Sequence, residues 1–232
     1  KPPATAANCP ARRGWKPATG STSRRAAGGV ARSAEICQDG NMGREELLRQ
    51  LHEYRTRWTD EAATVDRFVA FVASHADCFA RTLAVGHVTG SAWVVDRTGR
   101  RVLLTHHGKL DMWVQLGGHA DGDADTFRVA FREAEEESGL TGLEPVAAGI
   151  FDVDVHRIPA RGAESEHFHW DVRYAFRASG GEAYRVSAES RDLAWIEIAE
   201  LGALTREESM LRMARKWMAG AWGAKRPGGA AQ

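Results

Sequence analysis

Between Phe131 and Gly139 the chain reads FREAEEESG, and four of these residues are glutamates. At about 100° per residue around a helix, Glu133, Glu136 and Glu137 fall within one arc and Glu135 lies outside it. Phe127, Ala130, Phe131 and Ala134 share an opposite, apolar arc that must face a core. Carboxylates at i, i+3 and i+4 repel by about a few tenths of a kcal/mol per pair. Ser138-Gly139 reads as the end of this helix, with Gly139 at the left-handed position, and negative charge there opposes the backbone dipole. A solvated charged face is the ordinary explanation of such a run, but this placement is unfavourable. A divalent cation reverses the penalty. Mg2+ takes one or two carboxylates and completes its octahedron with water and substrate phosphates.

Several elements must position that helix. Leu47, Leu51, Tyr54 and Trp58 are spaced as one helix face, and Val65, Phe68, Val69, Val72 and Ala76 as a second, with Thr59 or Asp60 available to cap its start. The two predict a helical hairpin. The runs TLAVGHVTGSAWVVD and RRVLLTHH around DRTGR predict strand, turn and strand. Three further strands are expected from VAAGIFDVDVHRI, HFHWDVRYAFRA and LAWIEI, the second alternating most clearly. A closing helix is expected from Thr205, in a Thr-x-x-Glu capping box with Glu208, and its apolar face is Met210, Met213, Ala214 and Trp217. Strands, an internal helix, more strands and a final helix describe an α/β fold with a mixed sheet.

Gly118, Arg132-Glu133-Ala134, Glu136-Glu137 and Gly139-Leu140 resemble the Nudix box, G-x5-E-x7-R-E-U-x-E-E-x-G-U with U aliphatic. The resemblance implies a Nudix-type α/β/α sandwich, here preceded by the helical hairpin, and hydrolysis of a nucleoside diphosphate linked to another group, with Mg2+ or Mn2+ as cofactor. It makes Glu136 and Glu137 metal ligands and Glu133 a ligand or the residue that activates water. Arg132 is expected to hold a glutamate in place, and its i+4 relation to Glu136 permits that. Gly118 is implied as the backbone position of the loop entering the site. The chain departs from the pattern at Ala124, where the family carries glutamate, and at Leu116, where proline is frequent. Asp123 and Asp125 flank Ala124, and either can supply a carboxylate or cap the helix, the second role suiting Asp125.

Around the box, Lys109 is a candidate for a substrate phosphate and Trp113 for a base or the core, with the core favoured. Glu164, Glu166 and Asp171 offer a further acid, of which Glu166 is chosen as substrate-binding. His106, His107, His119, His156, His167 and His169 crowd the region. A zinc site from His167-x-His169 on one strand face is conceivable, although a hydrogen-bonded histidine is the commoner role.

Composition bounds the rest. The 232 residues suit one domain with extensions, and 43 % hydrophobic residues suffice for a core. The expected divisions are a disordered or spurious tail over 1–41, a helical extension over 42–81, the Nudix domain over 82–222 and a tail over 223–232. Residues 1–41 hold seven Lys/Arg and two Asp/Glu, so the neutral chain divides into +5 and −5. That basic stretch is rich in Ala, Gly, Ser and Pro with little periodicity, the composition of a tail rather than a nucleic-acid arm. No apolar run reaches the roughly 20 residues of a membrane span. Cys9, Cys37 and Cys78 fit no disulfide framework, and a reducing cytoplasm is the expected location. The expected partner is a small-molecule nucleotide or diphosphate substrate, with neither membrane nor nucleic acid, and a homodimer is admissible. Two rival functions stand beside hydrolysis. One is a catalytically weak Nudix fold that binds a nucleotide or partner protein; the other, isoprenyl diphosphate isomerisation, is disfavoured because no cysteine lies near the box.

Overall fold

The computed structural model describes residues 40–108, 111–147, 149–162, 164–187 and 190–220. The expectations for both tails therefore lie largely outside the described residues. The hairpin is present as α1 (Gly40–Arg57) and α2 (Ala62–Ser74). Leu47, Leu51, Tyr54, Val65, Phe68 and Val72 are buried as their spacing requires, and Phe71 joins them. The expected cap at Thr59 or Asp60 does not form. A single 3-10 turn, Thr59–Glu61, occupies that position, and neither it nor α2 receives a side-chain cap.

Among the described residues eight strands follow: β1 (Gly86–Val95), β2 (Arg101–His107), β3 (Met112–Val114), β4 (Leu116–His119), β5 (Leu143–Pro145), β6 (Asp152–Ile158), β7 (His167–Ala178) and β8 (Ser190–Glu197). They form one sheet with β3-β2-β1-β7-β5 as its main path, while β4 also pairs with β1, β6 with β7 and β8 with β2. The β1–β7 pairing is parallel and the others are antiparallel, which makes the sheet mixed. Between β4 and β5 runs α3 (Thr126–Ser138); the described residues close with the short α4 (Leu201–Leu204) and α5 (Glu208–Met218).

The sheet is covered on both faces. Val88, Ala92, Val94, Val172 and Phe176 pack with α1, α2 and α3, whereas Trp93, Val95 and Ala175 pack with Met210, Met213 and Ala214 of α5. The result is an α/β/α sandwich. Helix α5 buries the expected face, but the Thr205 capping box is absent. Thr205 closes α4 through its N–H to the Leu201 carbonyl, and its Oγ1 accepts from the Glu207 N–H at 3.1 Å. The helix therefore starts only at Glu208.

Alternation in β7 does not mean exposure. Its polar residues Asp171 and Arg173 are buried in a charged network beneath α5. Asp152 of β6 accepts from Arg212 at 2.7 and 2.9 Å, Lys216 at 2.6 Å and Arg173 at 3.1 Å. Tyr54 of α1 reaches the same carboxylate at 3.4 Å. A buried carboxylate is tolerable only with such partners, and this one joins α1, β6, β7 and α5.

Candidate active site

Helix α3 begins at Asp125, whose carboxylate accepts the Arg128 N–H at 3.0 Å, and ends at Gly139 with φ 66°. Both termini thus match the expected cap residues, and together they fix where the glutamates project. Val129, Ala130 and Ala134 are buried, with Phe127 and Phe131 packed beside them, so the opposite face looks outward.

Two of the three glutamates meet the glycines of β4. Glu137 Oε2 accepts the Gly117 N–H at 3.2 Å. Glu133 lies directly over Gly118: a Cβ placed there would stand 2.4 Å from Glu133 Oε2 and 2.5 Å from Cδ. Only glycine lets the strand and that carboxylate approach so closely. Glu136, one helical turn from Glu133, is exposed.

Arg132 holds Glu133 rather than Glu136. Its Nη2 donates to Glu133 Oε1 at 2.9 Å and lies 3.4 Å from the His119 carbonyl. The hydrogen bond to Glu133, aided by the charge of Glu136, raises the Arg132 pKa. The i+4 relation to Glu136 is therefore electrostatic and not a hydrogen-bonded pair.

The aspartates ahead of α3 are committed to the loop. Asp123 accepts from Arg128 Nε at 2.8 Å and from the Asp125 N–H at 3.0 Å, and Asp121 is paired with Arg81. Burial alone would raise the Asp123 carboxyl, but Arg128 outweighs it and holds the value down. Beside them Ala124 packs against α1: a Cβ on Gly43 would lie 2.4 Å from the Ala124 Cβ. Helix α1 thus occupies the space a longer side chain at 124 would need.

Of the substrate candidates, Lys109 lies outside the described residues. Glu166 forms a surface ion pair with Arg157 at 2.9 Å and borders a pocket with Phe71, Val85 and His167. Glu164 is exposed. Asp171 is buried and accepts from Thr89 and Ser91 at 2.8 Å and from Arg173 at 2.7 Å. Trp113 stacks on His106 and packs at the edge of the core, as favoured from its sequence context.

Sequence reasoning missed His87. It is 3 % exposed, and it stands beside His169 in the parallel β1–β7 register. Burial, then the neighbouring His119 and His167 rings, push its pKa down to about 4; burial and four neighbouring imidazoles push His169 down to about 2. His119 is likewise lowered, chiefly by burial and then by Arg81.

The sandwich with its mixed sheet, and the Gly117-Gly118 strand beneath the glutamates of α3, lie within the residues that a known family model matches. The NUDIX domain model matches residues 86–217. The chain belongs to the Nudix hydrolase family. A search of curated protein sequences finds no match. Among solved structures, similarity extends to a C. elegans Ap4A hydrolase at 18 % identity and TM-score 0.47, covering 58 % of this chain and 96 % of that one. A MutT protein from Methanosarcina mazei Go1 matches at 14 % identity and TM-score 0.45, with 60 % and 97 % covered. The E. coli dihydroneopterin triphosphate pyrophosphohydrolase matches at 14 % and 0.43, with 57 % and 95 % covered.

Proposed function

We propose that the chain hydrolyses a pyrophosphate linkage in a nucleotide or nucleoside diphosphate derivative, in the cytoplasm, with Mg2+, or Mn2+ in its place, held by Glu133, Glu136 and Glu137. The observation that carries this reading is the seating of Glu133 and Glu137 on the Gly117-Gly118 strand. It presents hard oxygen donors from one helix face, the donor type Mg2+ requires. When bound, the cation supplies Lewis acidity toward phosphoryl oxygens and lowers the pKa of water.

The residues themselves do the positioning. Arg132 orients the Glu133 carboxylate through Oε1, which leaves Oε2, the oxygen over Gly118, to accept a proton from an attacking water. The Gly117 N–H fixes Glu137. Lys109 and Glu166 are the proposed contacts to substrate outside the box.

A second reading, a weakly catalytic fold that binds a nucleotide or partner protein, draws on α1 standing where the first glutamate of the box would extend. A product-release assay over nucleoside triphosphates, nucleotide sugars and dinucleoside polyphosphates, with Mg2+, Mn2+ or chelator, separates the two. Metal-dependent turnover of at least one compound is expected. Thermal stabilisation by nucleotides with no turnover over hours would favour the second reading.

A further inference from the structure

On the sheet face turned away from α3, five imidazoles gather. Gly90 lies against the α3 backbone, so by the two-residue alternation of β1 its neighbours His87, Thr89 and Ser91 face the other side. The parallel register puts His87 beside His169, β6 places His156 on the far side of His169, and β4 brings His119 opposite Thr89. Ring centroids of His87 lie 4.9 Å from His169 and 5.0 Å from both His167 and His119. Such a group is costly as it stands. His87 is 3 % exposed, and among the described residues neither of its ring nitrogens has a hydrogen-bond partner.

We propose that His87, His167 and His169 form a binding site for a divalent transition-metal cation of the zinc class, distinct from the glutamate site on α3. One ligand nitrogen from each residue lies within 4.8 Å of the other two. His167 Nδ1 stands 2.8 Å from the Ser165 carbonyl, which can only accept, so this nitrogen carries the proton and the lone pair of the neutral ring is at Nε2. A backbone carbonyl that fixes the tautomer in this way is a usual partner of a metal-bound histidine. His167 Nε2 lies 3.3 Å from His169 Nε2. Two nitrogens about 2.0–2.1 Å from a tetrahedral ion are separated by roughly 3.3–3.4 Å.

Imidazole donors without a carboxylate among them suit Zn2+, and by the same chemistry Co2+, Ni2+ or Cu2+, whereas Mg2+ prefers oxygen. Three protein ligands leave a fourth position for water. His167 and His169 are partly exposed, which gives an ion access from solvent. Around the three ligands stand His119 and His156, the latter held by Asp154 at 3.1 Å. A direct hydrogen bond from His169 Nε2–H to His167 Nε2 is the rival explanation of the 3.3 Å contact, but it leaves both nitrogens of His87 unmet.

The test is a Co2+ titration of the full chain after chelator treatment and dialysis, followed by Zn2+ competition, with circular dichroism to verify folding. The wild type is expected to bind one Co2+ per chain with the visible bands of a tetrahedral site, displaced by one equivalent of Zn2+. His87→Gln alters a buried residue, so the decisive variants are His167→Gln and His169→Gln at partly exposed positions. Each should lose the bands and weaken Zn2+ binding by at least about 100-fold, the upper end of what loss of an outer partner alone does. A Glu136→Gln/Glu137→Gln double variant should retain the bands. Absence of tetrahedral bands in the wild type, unchanged Zn2+ affinity in both histidine variants, or loss of the bands in the glutamate variant would overturn the assignment.

Discussion

Gly43 of α1 and Ala124 of the loop before α3 are packed so closely that a Cβ on Gly43 would stand 2.4 Å from the Ala124 Cβ. The departure of the Nudix box at 124 and the helix in front of the domain are therefore one feature. A glutamate at 124 would have to displace α1, whose Leu47, Leu51 and Tyr54 are buried in the same core as α3. Ala124→Glu and Gly43→Ala are each expected to cost about 1–3 kcal/mol by overpacking. Thermal unfolding should fall by roughly 2–4 °C per kcal/mol. Ala124→Glu is expected not to raise turnover; a more active, equally stable variant would contradict this account of the position.

Gly118→Ala tests the seat of Glu133. The added methyl would meet the carboxylate at 2.4 Å, on the outward face of α3 rather than in the core. Misplacing a reacting group by about 1 Å costs on the order of 100-fold in rate. A kcat loss of that size with little change in melting temperature is expected, and steady-state kinetics beside a melting curve would check it.

Acid should loosen the contact between the helical hairpin and the sheet. Burial alone would raise the Asp152 carboxyl, but Arg212, Arg173 and Lys216 outweigh it; for Asp154, His156 and Arg173 do the same. Both carboxyls thus titrate below their ordinary range when folded, so the unfolded chain takes up more protons in acid. Their stabilisation is complete above the ordinary carboxylate range and is lost progressively as pH falls through and below it. Melting temperatures from pH 7 to pH 3 should decline most steeply below about pH 4.5. Asp152→Asn, which removes the anion facing the buried Arg173 and Lys216 and the partly exposed Arg212, is expected to cost about 3–5 kcal/mol and to flatten that decline.

Cys78 should be inert in the folded protein. It is fully buried, and burial pushes its thiol up to about 11, so almost no thiolate exists at neutral pH. In a Cys9→Ser/Cys37→Ser variant, a thiol reagent at pH 8 is expected to label no cysteine until guanidinium is added. Rapid labelling of native protein would show the hairpin opening freely.

What the sequence disclosed was local in the chain. The caps Asp125 and Gly139, the buried arc of α3 and the shared face of Glu133, Glu136 and Glu137 all lie within one helix, where a 3.6-residue period is sufficient. The β1–β2 hairpin was legible for the same reason. What escaped was non-local. Nothing near His87 announces that a parallel strand some 80 residues on will bring His167 and His169 beside it. Likewise the alternation of β7 was visible, but its polar side is buried because β6 and α5 supply Asp152, Arg212 and Lys216 from elsewhere. Thr205 failed as a cap because α4 claims its backbone first. Arg132 chose the adjacent Glu133 over Glu136, a competition between neighbours that spacing alone does not decide.

The glutamate face of α3 as a metal-dependent hydrolytic site is most directly tested by single-turnover cleavage of a substrate found in the nucleotide screen, at saturating Mg2+, with Glu136→Gln and Glu137→Gln compared with wild type. Neither change removes a buried apolar group, so both variants should fold. Each is expected to lose hydrolysis almost completely, by at least about 1,000-fold, with partial recovery at high Mn2+ marking lost metal affinity. Wild-type cleavage rates in either variant at the same Mg2+ concentration would contradict the assignment of these carboxylates.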